Sequence, residues 1–353
     1  MRFHFLLILL AGLFVNLPTV GQPLPTITPE EAGFSAERLH ELEDFLEQSG
    51  SSSLMLVYDG KVFFDWGASH QKHLIHSIRK TLLNSLYGIY VEKGVIDTSA
   101  TLAELGIDDI EPTLTEQEKQ ARIADLLKSR SGIYHPAAAV SQGMLRGMPE
   151  REAHQPGEHY YYNNWDFNTL GHILEMKTGE SIYTLFKQHI ADPIGMIHYE
   201  GAYTSIDLDN DDSPIPDADG FYQNEPSKSD YPAYHFRMSA HDLAKFGTLY
   251  LQEGRWDGKQ IIPESWIEAS TTAYSITNPR INIGYGMLWN VLIPNENRAT
   301  KSFFHTGAGI HMLGVYPGSK LVMVHRVDTE GGHNFQQNSL YQIIDLVFAA
   351  QQK

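Results

Sequence analysis

Cysteine is missing from all 353 residues, which removes disulfides, thiol nucleophiles and cysteine-based zinc sites from consideration. Positive charge is scarce as well: 26 Lys and Arg stand against 43 Asp and Glu, for a formal charge of −17. So acidic a surface repels phosphate backbones, and nucleic acid is not an expected partner. Long apolar runs occur in one place only. Arg2 and His4 precede the run Phe5 to Val15, and Thr19-Val20-Gly21 offers small or modest residues for cleavage. Residues 1–21 therefore read as an export signal, too short to span a bilayer comfortably. A retained N-terminal anchor is the alternative. Removing the segment takes away Arg2 and no acidic residue, so the mature chain is one unit more negative. The expectation is an exported protein, periplasmic or extracellular, with no membrane span after the signal is removed.

Two further absences bear on chemistry. The 17 histidines form no H-x-H-x-D or H-E-x-x-H cluster, so no metal and no other cofactor is expected. Asp207, Asp209, Asp211 and Asp212 lack the following Gly and Glu of an EF-hand loop, and read as a solvated acidic segment rather than a calcium site. No G-x-S-x-G elbow appears either, which disfavours a Ser-His-Asp hydrolase.

The remaining composition, 42% hydrophobic and 20% charged, is that of a globular chain long enough for a sizeable core. Pro23 to Pro29 reads as an extended linker, and Ser35 as the N-cap of an amphipathic helix to about Gln48. Ser53 to Tyr58 and Lys61 to Trp66 are β-rich runs around Asp59-Gly60, the strongest short hairpin signal. From about 98 to 231 the pattern is helical and loop-rich, and residues 203–232 read as a long excursion. Helices follow over Ala240 to Leu251 and Pro263 to Thr271. Strand candidates return at Gly284 to Val291, Phe303 to His305, Ile310 to Tyr316 and Lys320 to Val327, before a last helix from Asn334 to Ala350. The expected fold is α/β of the α+β type: one antiparallel sheet from both chain ends, flanked by helices, with a helical subdomain at about 98–231 inserted into one domain over 22–353.

Ser77-Ile78-Arg79-Lys80 carries the chemistry in this reading. A hydroxyl and an amine three residues apart share one helix face, and a serine at the helix start has first-turn N–H groups to favour its alkoxide. Ile78, Leu82, Leu83, Leu86, Ile89 and Tyr90 recur at helical spacing behind it. Ser69-His70-Gln71-Lys72 has the same spacing, but no apolar stripe follows at once, and it reads as a solvated loop. Tyr162-Asn163-Asn164 precedes an apolar helix; Tyr161-Tyr162-Asn163 and Tyr222-Gln223-Asn224 share its spacing. His305-Thr306-Gly307-Ala308-Gly309 ends an apolar run in a glycine-rich turn, whereas Lys177-Thr178-Gly179 is explained as helix capping.

In that order, S-x-x-K, Y-x-N and H-T-G make the chain resemble the serine β-lactamase-related hydrolases: class C β-lactamases, D-alanyl-D-alanine carboxypeptidases, and esterases and peptidases of the same fold. The resemblance covers roughly residues 30–350 and extends to Glu31-Ala32-Gly33-Phe34-Ser35 and Ser239-Ala240-His241-Asp242-Leu243. The family's Leu-Gly follows Asn164 at the family's count, in Leu170-Gly171, so Tyr162 rather than Tyr161 is carried over.

The resemblance implies Ser77 as acylated nucleophile and Lys80 and Tyr162 as the proton-handling pair. It implies Asn164 as a substrate or Lys80 contact, and His305, Thr306, Gly307 and Ala308 as substrate-binding residues. The oxyanion would be held by the N–H groups of Ser77 and Ala308. Two schemes stay open. Lys80 is the base if desolvation and a neighbouring cation depress its pKa. Alternatively, charged Lys80 stabilises Tyr162 as a phenolate base. His305 stands where the family has a lysine that holds a substrate carboxylate, which favours esters, amides or small peptides over penicillins and D-Ala-D-Ala ends. The rivals are a β-lactamase or carboxypeptidase and, from another class, a catalytically silent binding module on the same fold.

Overall fold

The Asp59-Gly60 turn has φ of +48° and +78°, the left-handed pair that a two-residue type I′ hairpin loop requires. The computed structural model describes residues 21–209, 214–296 and 298–352. The expected export signal, apart from Gly21, and Asp211 and Asp212 lie outside these residues. The N-terminal part supplies α1 (Ala36–Ser49), β1 (Ser53–Tyr58), β2 (Lys61–Gly67), the short β3 (His73–Leu74) and α2 (Arg79–Glu92). The middle adds α3 (Leu102–Leu105), α4 (Ile123–Leu127), α5 (Gln142–Gly147), α6 (Asn164–Thr178) and α7 (Ile182–Phe186). Next come β4 (Tyr203–Asp207), β5 (Gly220–Asn224), β6 (Ala233–Met238), α8 (Ala240–Leu251), β7 (Arg255–Trp256), β8 (Lys259–Gln260) and α9 (Glu264–Ser270). The chain ends with β9 (Ser275–Asn278), β10 (Ile283–Tyr285), β11 (Asn290–Leu292), β12 (Ser302–Gly307), β13 (His311–Tyr316), β14 (Leu321–Arg326) and α10 (Gln337–Ala350).

Eight strands make one antiparallel sheet in the order β2-β1-β14-β13-β12-β11-β10-β9. Ser53 faces Arg326 and Tyr58 faces Leu321, so strands from both chain ends lie side by side. Alternation sorts the side chains into two layers. Leu54, Leu56, Leu321 and Met323 pack with Leu39, Leu42, Ile343 and Val347 of α1 and α10. Met55, Val57, Val322 and Val324 face the other way, into the core that holds Leu243, Phe246 and Leu249 of α8. A strand buried on both faces reads as one apolar run, which is why β1, β13 and β14 stand out in the sequence.

The region expected to be helical departs from that reading. Residues 203–232 contain β4 and β5, which join β6 and β3 in a second sheet of order β3-β6-β5-β4, with β4 parallel to β5. Most of β4 is exposed, so no apolar alternation marks it, and the surrounding Asp and Pro mask β5. Helix α7 ends at Phe186 and the chain continues as a π-helical turn, Lys187–Ala191. The single strand expected over Gly284–Val291 is two, β10 and β11, joined by a turn in which Gly286 N–H donates to Trp289 O over 2.8 Å.

Arg326 joins the two sheets. Its fully buried guanidinium donates to Met238 O over 2.7 Å and to His73 O over 2.8 Å, three backbone and sheet segments meeting at one side chain. No helix among the described residues is long and apolar enough to cross a membrane.

Candidate active site

Ser77 sits in a 3₁₀ turn, His76–Ile78, that runs directly into α2. His76 ahead of it has φ of +49°, a sharp entry that leaves Ser77 only partly covered. α2 itself is buried almost along its length. Asn84 anchors it: its amide donates to Met287 O over 2.9 Å, and its Oδ1 accepts from Tyr250 Oη over 2.8 Å. Lys80 Nζ is 2.9 Å from Ser77 Oγ, and the Tyr162 hydroxyl pairs with the same serine side chain.

The surroundings of Lys80 set its charge. Nζ lies 4.9 Å from the Tyr162 ring centroid and 4.6 Å from that of Phe167, and the side chain is 1% exposed. Burial first, and then the Arg79 guanidinium next to it, hold its pKa well below the ordinary lysine value. Burial also raises the Tyr162 phenol above its usual range, against smaller lowering effects of Ser77 and Arg79. The amine is thus the group whose neutral form is favoured, and the phenol keeps its proton.

His305 lies on β12, its ring centroid 6.2 Å from that of Tyr162. Burial, with a smaller effect of Lys80, pushes its pKa down to about 3. Nδ1 is 2.9 Å from Thr306 O; a carbonyl can only accept, so Nδ1 carries the hydrogen and the unpartnered Nε2 presents a lone pair. Gly307 abuts the nucleophile's turn: a Cβ there would sit 2.4 Å from Ile75 O and 3.2 Å from His76 Cβ. Ala308 follows at φ of +50°, exposed at the rim.

Ser77, Tyr162, Asn164, His305, Thr306 and Ala308 all line one cleft of about 820 Å³. Asn164 makes no hydrogen bond to Lys80 there. Its amide nitrogen donates to Ala139 O, and its buried Oδ1 is unpartnered. The spacing decoys are held by other bonds. Tyr161 Oη donates to Met144 O over 2.9 Å, Tyr222 bonds Glu175, and Gly179 caps α6 at φ of +75°. Ser69 requires a correction, because its loop is not simply solvated. The residue is 3% exposed, with its hydroxyl 3.3 Å from His241 Nε2, and Lys72 pairs with Asp219 over 2.6 Å.

Arg79 is a cleft residue that motif reasoning passed over. It is 3% exposed, lies against the Tyr234 ring at 5.0 Å, and has Nε and Nη2 without a hydrogen-bond partner. Gln223 of β5 and His235 of β6, bonded to each other at 3.0 Å, form the wall beside it. Arg79 stood in plain view inside S-x-x-K; the wall could not be seen because its strands went unread.

A family model described as Beta-lactamase matches residues 41–346. Among curated proteins, a "Putative D-alanyl-D-alanine carboxypeptidase" of Escherichia coli (strain K12) is 24% identical over 232 residues, 54% of each chain. The chain thus spans about half the length of the curated relatives it matches. A solved structure named "Putative 6-aminohexanoate-dimer hydrolase from Bacillus anthracis" is similar with a TM-score of 0.67 at 19% identity, over 95% of this chain and 89% of that one. A family VIII carboxylesterase superposes with a TM-score of 0.61 at 16% identity, over 89% and 97% of the two chains.

Proposed function

The chain belongs to the Beta-lactamase family, and from that premise we propose that it is an exported serine hydrolase that works through an acyl-enzyme on an ester, amide or small peptide. The observation that carries the reading is the 2.9 Å contact between Ser77 Oγ and a desolvated Lys80 amine, with the Tyr162 hydroxyl on the same serine. A serine hydroxyl needs an adjacent base to act as a nucleophile near neutral pH. The depressed lysine favours the first of the two schemes: Lys80 takes the Ser77 proton as Oγ bonds to the substrate carbonyl carbon. The N–H groups of Ser77 and Ala308 receive the oxyanion. Tyr162, protonated, donates to the leaving group and regains its proton from Lys80. Water then attacks the acyl carbon and frees Ser77.

Substrate class follows from charge. His305, neutral and offering a lone pair, suits an N–H or O–H donor rather than a carboxylate. Arg79 supplies a cation elsewhere in the cleft, with Nε and Nη2 lacking hydrogen-bond partners, so a substrate with an anionic group fits best. The similar proteins bear the names of a carboxypeptidase, a 6-aminohexanoate-dimer hydrolase and a carboxylesterase, which supports an ester, amide or peptide bond as the target.

The test is labelling and turnover together. A fluorophosphonate probe is expected to add one label to the protein and none to Ser77→Ala, and intact-protein mass spectrometry is expected to show an acyl adduct from a panel of p-nitrophenyl esters, D-amino-acid amides and a cephalosporin. Absence of both label and turnover would leave the silent binding module as the better reading.

A further inference from the structure

Away from the cleft, the structure collects imidazoles that are scattered in the sequence. Asp65 on β2, His70 in the loop after it and His241 in the first turn of α8 each bring one ligand atom within 4.8 Å of the others. Asp65 Oδ2 and His241 Nε2 are 3.3 Å apart. His198, from the loop before β4, places Nε2 3.3 Å from His70 Nδ1. None of the four lines the cleft that contains Ser77.

We propose that Asp65, His70, His198 and His241 form a four-coordinate zinc site. Two donors on a tetrahedral zinc with bonds of about 2.0–2.1 Å stand roughly 3.3–3.4 Å apart, the separation already present between Asp65 Oδ2 and His241 Nε2. Three imidazoles and one carboxylate, without thiolate, suit zinc rather than calcium or magnesium, which take oxygen ligands. The surroundings orient one of the donors, His198, before any ion arrives. His198 Nδ1 is 2.9 Å from Ser239 Oγ, which leaves Nε2 as the outward nitrogen. The Asp242 carboxylate accepts the backbone N–H groups of Ile197 and His198 over 2.7 and 3.0 Å and so holds that loop against α8. Outer contacts of this kind orient metal-bound imidazoles in general.

Two adjustments are required: His198, whose ring centroid is 6.1 Å from that of His241, must close on the three residues already grouped, and one of two stacked rings must turn. His70 stacks on His241 with centroids 4.0 Å apart and planes 19° from parallel, and a ligand imidazole must point its lone pair at the ion in the plane of its ring. His70 is exposed and His241 buried, so His70 is the ring that turns. The ion would staple β2, the outer strand of the large sheet, to the start of α8 and to the loop before β4. Its role is structural, since all four positions are taken by protein.

Chelator-stripped protein titrated with zinc chloride in a calorimeter tests this without reference to hydrolysis. Expected are one zinc per chain, a rise in Tm with zinc, and intense visible absorption when cobalt(II) replaces zinc. His70→Ala removes an exposed side chain, so its metal-free Tm is expected to match the parent while zinc affinity falls at least ~10-fold; His198→Ala is expected to weaken binding likewise. The proposal is overturned by absence of heat and Tm shift in excess zinc, or by binding that survives both substitutions. Zinc that suppresses ester turnover equally in parent and His70→Ala, with no Tm effect, would place the ion in the cleft and overturn it too.

Discussion

Arg79 does two things at once, and the two separate experimentally. As a buried cation beside Lys80 it favours the neutral amine; as an unpartnered donor in the cleft it awaits an anion. The amine is a competent base above its folded pKa and is lost as one when pH falls through that value. Arg79→Met, by removing the charge, is expected to move the acid limb of kcat/KM to higher pH. For substrates with a carboxylate the same variant is expected to lose about 1.5–3 kcal/mol of binding, read as a higher KM, the size of a hydrogen bond to a charged group. Uncharged esters would show the pH shift alone. Gly307→Ala probes the other wall: the added methyl meets Ile75 O, a backbone atom. A displacement of about 1 Å at the oxyanion side is expected to lower kcat ~100-fold with the fold intact by circular dichroism. Residue types at their spacing made Ser77, Lys80, Tyr162 and His305 legible in sequence. Charge states were not, because desolvation depends on Phe167 and Tyr162 closing over Lys80, which no local pattern records. The His70–His241 group escaped for a related reason, its members lying too far apart along the chain to form any motif.

At the level of elements, α2 is the part with least tolerance. Gly88 lies in its interior, where alanine is ordinarily the better helix former by about 1 kcal/mol. Here a Cβ would stand 2.4 Å from Trp266 Cδ1, and that indole is fixed by its own bond to Asn84 O over 2.9 Å. Overpacking of about 1–3 kcal/mol outweighs the propensity gain. Gly88→Ala is therefore expected to lower Tm by a few degrees in calorimetry rather than raise it, with a further loss of turnover because α2 carries Lys80 and its first turn follows Ser77. Helices with one clear apolar face, such as α8, and strands buried on both sides, such as β14, announced themselves in the sequence. β4 and β5 did not: their pairing is with each other and with β6, and exposed Tyr203 and Thr204 carry no alternation that could distinguish a strand from a loop.

For the molecule as a whole, Arg326 is the joint between the two sheets. Arg326→Met keeps the length of the side chain but removes the buried donors to the carbonyls of His73, Leu74 and Met238. At about 1–3 kcal/mol for each unsatisfied buried group, denaturant unfolding is expected to show a loss of at least ~3 kcal/mol. The pairing of β1 with β14 has a separate consequence, for how the protein comes into being. Synthesis proceeds from the amino end, and Ser53 must wait for Arg326 before the middle of the large sheet can close. Until some nine-tenths of the chain has emerged, β1 has an open edge, and a nascent polypeptide in that condition stays slow to fold. Ribosome-bound chains halted before residue 321 are expected to be digested readily by protease, and full-length chains to become resistant only after release.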